Sequence, residues 1–300
     1  LVMSLGLLAF QNVQAKKDKT ITHSVFIAGP EFTGIIDEQG GIVWDSGRKG
    51  ARDGYVLPNG NVLICWGDEV KEFDNERNVI FTFTKKQEGK VELGTAVRLE
   101  NGNTLITESS EDNPRLLEVD KTGKIVIDVP LQPDTDNVHM QTRMARKLDN
   151  GNYLVPHLLG FAVKEYSPSG EVLKTFKTDL SELGGQEAKN WPFTAIRLKN
   201  GNTLVNLTNG NKTVEMNEDG EVVWKVSNDD FDGKPFDDPC GAQRLPNGNT
   251  VIASYHASDG IKLFEINKKK EMVWKYMGYK VHHFQILTTN GKTLKGQPMK

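Results

Sequence analysis

After about residue 20 the chain is a succession of short apolar runs alternating with polar residues, and no stretch keeps the 3.6-residue apolar period of a helix. The runs flank a recurring turn signal. It reads Leu57-Pro58-Asn59-Gly60-Asn61-Val62-Leu63, then Leu99-Glu100-Asn101-Gly102-Asn103-Thr104-Leu105, then Leu148-Asp149-Asn150-Gly151-Asn152-Tyr153-Leu154. Two further copies begin at Leu198 and Leu245, and a degenerate sixth begins at Leu287. The marker residues Asn59, Asn101, Asn150, Asn200, Asn247 and Asn290 recur at intervals of 42 to 50 residues. That period belongs to propeller blades of roughly 40 to 50 residues.

An Asn-Gly pair between strands predicts a two-residue type I′ hairpin, because both central positions need positive φ. A second hairpin follows each first one, as in Val214-Glu215-Met216-Asn217-Glu218-Asp219-Gly220-Glu221-Val222-Val223-Trp224. Two hairpins in series make a four-stranded blade. At the N-terminal end a second hairpin, residues 34–44, has no Asn-Gly hairpin before it. At the C-terminal end a first hairpin, residues 284–294, has no second one after it. The fold predicted is therefore all-β: a six-bladed β-propeller of four-stranded antiparallel blades. Its two ends share one blade, which removes the open sheet edge.

Composition narrows the partners. The 37 basic and 40 acidic residues leave a net charge of -3, so no global field favours nucleic acid or anionic lipid. Residues 1–10 are apolar and lead to Val13 and Ala15 before Lys16-Lys17, which reads as the remnant of a secretory signal cleaved after Ala15. The expectation is a secreted or periplasmic protein whose residues 16–300 form one domain, monomeric and not integral to a membrane. Cys65 and Cys240 fall in different repeats and are expected to be free thiols.

Register locates the candidate chemistry. Aligned on the Leu before each Asn-Gly, the innermost strands place Arg52, Gly94, Arg143, Phe193, Cys240 and His282 in one ring, on the rim opposite the Asn-Gly turns. The next ring is Asp53, Thr95, Met144, Thr194, Gly241 and His283, and a third holds Gly54, Ala96, Ala145, Ala195 and Ala242, read as steric, with Phe284 the exception. Long links of residues 128–142, 177–191 and 227–240 add His139, Trp191 and Asp238 to that rim, and a connection between hairpins adds His256. The ligand site predicted is Arg52, Asp53, His139, Arg143, Trp191, Asp238, Cys240, His256 and His282. Two guanidinium groups facing one cavity need an acidic partner, for which Asp53 or Asp238 is nearest in sequence.

Other repeated residues are read as structural. Trp44, Trp224 and Trp274 match in register and are assigned to packing between blades. Glu72, Glu118, Glu165, Glu215 and Glu265 also match, and are assigned one hydrogen bond or ion pair per blade. No short His spacing predicts a metal, and no cofactor is expected, with calcium left open as the one alternative. Asp229-Asp230-Phe231-Asp232-Gly233 has calcium-like spacing but lacks the distal Glu, so it is read as a solvated loop.

The run Ala242-Gln243-Arg244-Leu245-Pro246-Asn247-Gly248-Asn249-Thr250, with the Glu-bearing strand and Gly-x-Val-Val-Trp of residues 215–224, resembles the PQQ-like and arylsulfotransferase-like propellers of bacterial exported proteins. The resemblance covers nearly the whole chain after the signal. It implies six blades and, for the arylsulfotransferase type, a nucleophilic histidine at the channel mouth. His282 or His283 would match it, with Arg52 and Arg143 holding the anion. Those enzymes carry His-Asp before the turn, whereas this chain carries Arg52-Asp53, Cys240-Gly241 and His282-His283. PQQ itself is not implied, because its dehydrogenases are eight-bladed with a vicinal Cys pair. The favoured function is binding of a polar or anionic small ligand or a carbohydrate at this rim. The alternatives are a group-transfer enzyme using the same residues and a scaffold for another protein.

Overall fold

The computed structural model describes residues 20–257 and 260–294, so the expected signal remnant lies outside the described residues. Five consecutive antiparallel meanders form blades 1 to 5. Blade 1 runs from the innermost strand Asp53–Val56 to the outermost Val79–Thr84, and blade 2 from Val91–Arg98 to Ile125–Pro130. Blade 3 runs from Arg146–Lys147 to Val172–Lys177, blade 4 from Asn190–Arg197 to Val222–Ser227, and blade 5 from Pro239–Arg244 to Met272–Tyr276. Blade 6 takes strands from both ends of the chain and closes the ring as a six-bladed β-propeller. No helix among the described residues is long and apolar enough to cross a membrane.

The closing blade is shared differently from the expected two strands from each end. His283–Thr289 is innermost, and His23–Ala28, Thr33–Ile36 and Ile42–Asp45 follow it outward. His23–Ala28 pairs with His283–Thr289 on one side and Thr33–Ile36 on the other. Burial decides this exchange, since Val25, Phe26, Ile27 and Ala28 are wholly inaccessible to solvent. Each large apolar side chain so buried contributes about 1.5–3 kcal/mol. The expected second strand, Lys292–Thr293, is exposed and adds only a short pairing to the other edge of the innermost strand.

The turns also differ from the I′ form. Within the Asn-Gly pairs of blades 1 to 5 only the glycines, Gly60, Gly102, Gly151, Gly201 and Gly248, have positive φ, between +86° and +89°. Gly60 N–H donates to Leu57 O and Leu57 N–H to Asn61 O, which is a type I turn closed by a glycine bulge. Asn59 serves by its side chain, accepting the Asn61 amide at 3.1 Å. Only Asn290 and Gly291, with φ of +50° and +74°, form the two-residue turn that was expected.

The repeated glutamates join neighbouring blades. Each accepts a bond from an Asn of its own blade's turn: Asn61 to Glu72, Asn103 to Glu118, Asn152 to Glu165, Asn202 to Glu215 and Asn249 to Glu265. Each also meets a basic side chain of the following blade. The partners are Arg98, Lys147, Arg197, Arg244 and, for Glu265, His23 at 2.7 Å. At the sixth interface the same two positions are Ile35 and Val56, packed in one apolar cluster. The tryptophans bridge the same interfaces: Trp44 lies edge-on to Phe73 at 5.7 Å and Trp274 to His23 at 4.7 Å, while the Arg244 guanidinium sits 5.8 Å from the Trp224 ring. Cys65 and Cys240 are buried free thiols.

Burial works to raise the Glu215 pKa, but bonds from Asn202, Asn200 and Arg244 outweigh it and hold the carboxyl below its usual range. Glu215→Gln is therefore expected to cost about 1–3 kcal/mol in urea unfolding at pH 7. Because the folded pKa is lowered, this stabilisation is complete above the ordinary carboxylate range and is lost as pH falls through it. The gap between wild type and variant should narrow below roughly pH 4; a gap unchanged down to pH 3 would contradict the assignment. Closure makes a second expectation. A chain ending at Gly291 should melt within a few degrees of the full chain, whereas one ending at Val281 should lose cooperative unfolding by circular dichroism. Equal stability of the Val281-terminated chain would show that the ring does not depend on its last strand.

Candidate functional site

Strand alternation sorts the rings of the innermost strands into two depths. Asp53 and His283 are fully buried, and Arg146, from blade 3, reaches Asp53 at 3.3 Å while His283 Nε2 lies 3.5 Å away. Tyr55 stands beside them, its ring 5.1 Å from His283 and 5.5 Å from the Arg146 guanidinium. Asp53 also accepts the amides of Gly54 and Ala96. Burial raises the Asp53 pKa against the pull of Arg146, and burial holds the His283 imidazole far below its ordinary range. Asp53 thus belongs to a buried polar plug and does not counterbalance Arg52. One residue further along, Gly54 lies against Phe26, where an added Cβ would meet the ring at 2.9 Å, in keeping with a steric ring.

Above this plug the first ring opens to the rim. Arg52, with 22% of its side chain exposed, pairs with Glu92 at 2.7 Å and donates to Leu93 O at 3.3 Å. Glu92 on its other side faces His139 Nδ1 at 3.0 Å. Arg143 is only 5% exposed and bonds the carbonyls of Thr142 and His139. Burial chiefly, with the nearby Arg52 charge, lowers its pKa to about 10. The acidic partner of this side is therefore Glu92, in place of the expected Asp53 or Asp238.

Aromatic rings cross the mouth from there. The Arg143 guanidinium is 6.0 Å from the Phe193 ring, Phe193 is near-parallel to His282 at 6.4 Å, and His282 is stacked on Tyr255 at 4.6 Å with planes 1° apart. The Lys280 ammonium lies 5.5 Å from Tyr255. His282 Nδ1 is 3.5 Å from Ala51 O, and burial, with Arg143 and Arg52 nearby, lowers its pKa to about 4.

Beyond Tyr255 lies an acidic edge. His256 Nδ1 is 2.7 Å from Asp238 Oδ2, and the other Asp238 oxygen accepts the Asn209 amide at 3.0 Å. Asp237, Asp238 and His256 each offer one ligand atom within 4.8 Å of the others, a donor set that could take a divalent cation. Cys240 is buried beside them with Sγ 3.3 Å from Asp238 O, and burial pushes its thiol well above the usual range, so it stays protonated. Trp191 is half-buried two residues before Phe193, with its Nε1 enclosed and without a partner. His157 is buried against the Tyr166 hydroxyl at 3.0 Å and serves packing. In the calcium-like loop, Asp230 is taken up by Lys270 and the Ser227 amide.

Arg52, His139, Arg143 and His282 are thus neighbours round one mouth, with Asp238, Cys240 and His256 at its acidic edge. Glu92, Phe193 and Tyr255 join them without having been among the predicted ligand residues. A signal for Glu92 existed. Two residues before the first ring, the same alignment reads Gly50, Glu92, Gln141, Trp191, Asp238 and Lys280, a further variable set at the rim. Nuclear magnetic resonance of labelled imidazoles should find His282 neutral at pH 6 with a midpoint near 4. A midpoint near the ordinary 6.5 would mean that its ring is not enclosed by this stack.

Comparison with solved structures agrees with the fold. A protein of unknown function from Bacteroides caccae is 22% identical and superposes with a TM-score of 0.75, over 88% of this chain and 98% of that one. Virginiamycin B lyase from Staphylococcus aureus with quinupristin is 11% identical, with a TM-score of 0.60 over 86% of this chain and 85% of its own. The extracellular domain of a candidate one-component system from B. thetaiotaomicron is 14% identical, with a TM-score of 0.54 over 89% of this chain and 37% of that one. No curated protein matches the chain in sequence. The family model of Mal s 1 allergenic protein-like proteins matches residues 28–254, and the chain belongs to that family.

Proposed function

We propose that this protein is an exported binding propeller that holds a polar or anionic small molecule, carbohydrates included, at the mouth opposite the Asn-Gly turns. The observation that carries this reading is the placement of Arg52 and Arg143 beside the Phe193–His282–Tyr255 rings on one rim, above a buried plug. Guanidinium groups offer forked donors to a carboxylate or sulfate, and the rings exclude water beside them. Export is supported by the apolar run and Val-x-Ala pattern of residues 1–15, and extracellular domains occur among the proteins of similar fold.

Group transfer through His282 or His283 has weaker support. His283 lies in the buried plug against Asp53, and His282 is largely buried, stacked on Tyr255 at 4.6 Å with Phe193 at 6.4 Å. A nucleophile needs an approach path and an orienting base, and neither ring has both.

Arg52 is the cleaner probe, because loss of the buried Arg143 would strand the two carbonyls it satisfies. A thermal-shift and calorimetric screen of acidic and neutral sugars should yield a ligand whose affinity falls at least ten-fold in Arg52→Ala. The melting temperature of the variant should stay within a few degrees, since a partly exposed ion pair contributes roughly 0–1 kcal/mol. Equal affinity in variant and wild type would remove Arg52, and with it this mouth, from the binding account.

A further inference from the structure

Among the described residues, Glu92 is the carboxylate paired with a guanidinium of the mouth. Unlike Glu72 or Glu215 it joins no turn. It stands between Arg52 at 2.7 Å and His139 at 3.0 Å, on the strand Val91–Arg98. Burial acts to raise its pKa, but the bonds from His139 and Arg52 prevail and lower it to about 2, so its charge persists throughout the neutral range. On this side an entering anion meets two guanidinium groups, one of them already engaged by Glu92. The imidazole of His282 adds no charge there at neutral pH. Across the rings, the described charged groups are Asp237 and Asp238 with His256, and the Lys280 ammonium 5.5 Å from the Tyr255 ring; Glu31 accepts only the backbone amide of Lys280, at 3.1 Å. A second negative charge held on the Arg52–Arg143 side would therefore face Glu92.

We propose that the mouth selects a ligand with a single negative charge, a monocarboxylate of the hexuronic acid class, and that Glu92 sets this limit. The inference rests on the reading of the mouth as the ligand site. One carboxylate can share Arg52 and Arg143 with Glu92, leaving two cations against two anions. A phosphate monoester brings nearly two charges at neutral pH and leaves one uncompensated beside Glu92. Glu92 is thus a specificity residue that acts by repulsion as well as by orienting Arg52.

Isothermal calorimetry with glucuronate and glucose 6-phosphate at pH 7.5 and low salt tests this on the full chain. Wild type should bind glucuronate at least ten-fold more tightly than the phosphate. Glu92→Gln should shift that ratio ten-fold or more toward the phosphate, and Glu92→Asp, which keeps the charge, should retain the wild-type order. The proposal is overturned by a wild type that prefers the phosphate or does not discriminate. It is equally overturned by an unchanged ratio in Glu92→Gln, or by Glu92→Asp behaving as Glu92→Gln. Binding of neither probe to any of the three proteins is a different failure, since it removes the anion site itself and this selectivity with it.

Discussion

The ring depends on one carboxylate in each of blades 1 to 5 that is bound twice, to its own turn and to the next blade. A glutamate buried at this depth is costly unless its oxygens are met, and the two partners come from different blades. Removing any of blades 2 to 6 would leave a carboxylate without its partner, so the arrangement rewards the complete ring. The one interface that lacks the pair is the one between blades 6 and 1, where Ile35 and Val56 replace both members together. An apolar pair there leaves no stranded charge. At the neighbouring interface the innermost strand offers Ile286 at the cation's register, and His23, on the second strand, reaches Glu265 in its place. The N-terminal strand thus both fills blade 6 and gives Glu265 its partner.

A frame tied in this way at one rim leaves the other rim free to vary. Below the mouth, Arg146, Asp53, His283 and Tyr55 pack together as buried polar groups, and the proposed site is the layer above them. That layer divides into a cationic side at Arg52 and Arg143 and an acidic side at Asp237 and Asp238, joined by the rings of Phe193, His282 and Tyr255. In the proposed function, opposite charges held apart on one rim would favour a ligand with different chemistry at its two ends and would orient it.

The blades were legible because their turns repeat with fixed spacing, and register then carried Arg52, Arg143 and His282 to one mouth. What escaped has physical causes. The Asn-Gly pair reads alike in a type I′ turn and in a type I turn with a glycine bulge, and only φ at Asn separates them. His23–Ala28 is bounded by no repeat turn, so nothing in the sequence marked it as the strand that displaces Lys292–Thr293. Asp53 was placed at the mouth by its neighbour Arg52, yet successive strand residues point to opposite sides, and it went to the plug. Glu92 lies upstream of the aligned ring and Tyr255 in a connection with no repeat register, so neither was found by alignment on the turns.

The most direct test of the working face is to map binding on the backbone, by following amide resonances of the labelled protein as glucuronate is added. Shifts gathered at Arg52, Glu92, His139, Arg143, Phe193, Tyr255 and His282, with the Asn-Gly turns silent, are the result predicted. Shifts gathered at the Asn-Gly rim or along the outermost strands would contradict it and move the ligand to the opposite face or the ring's perimeter.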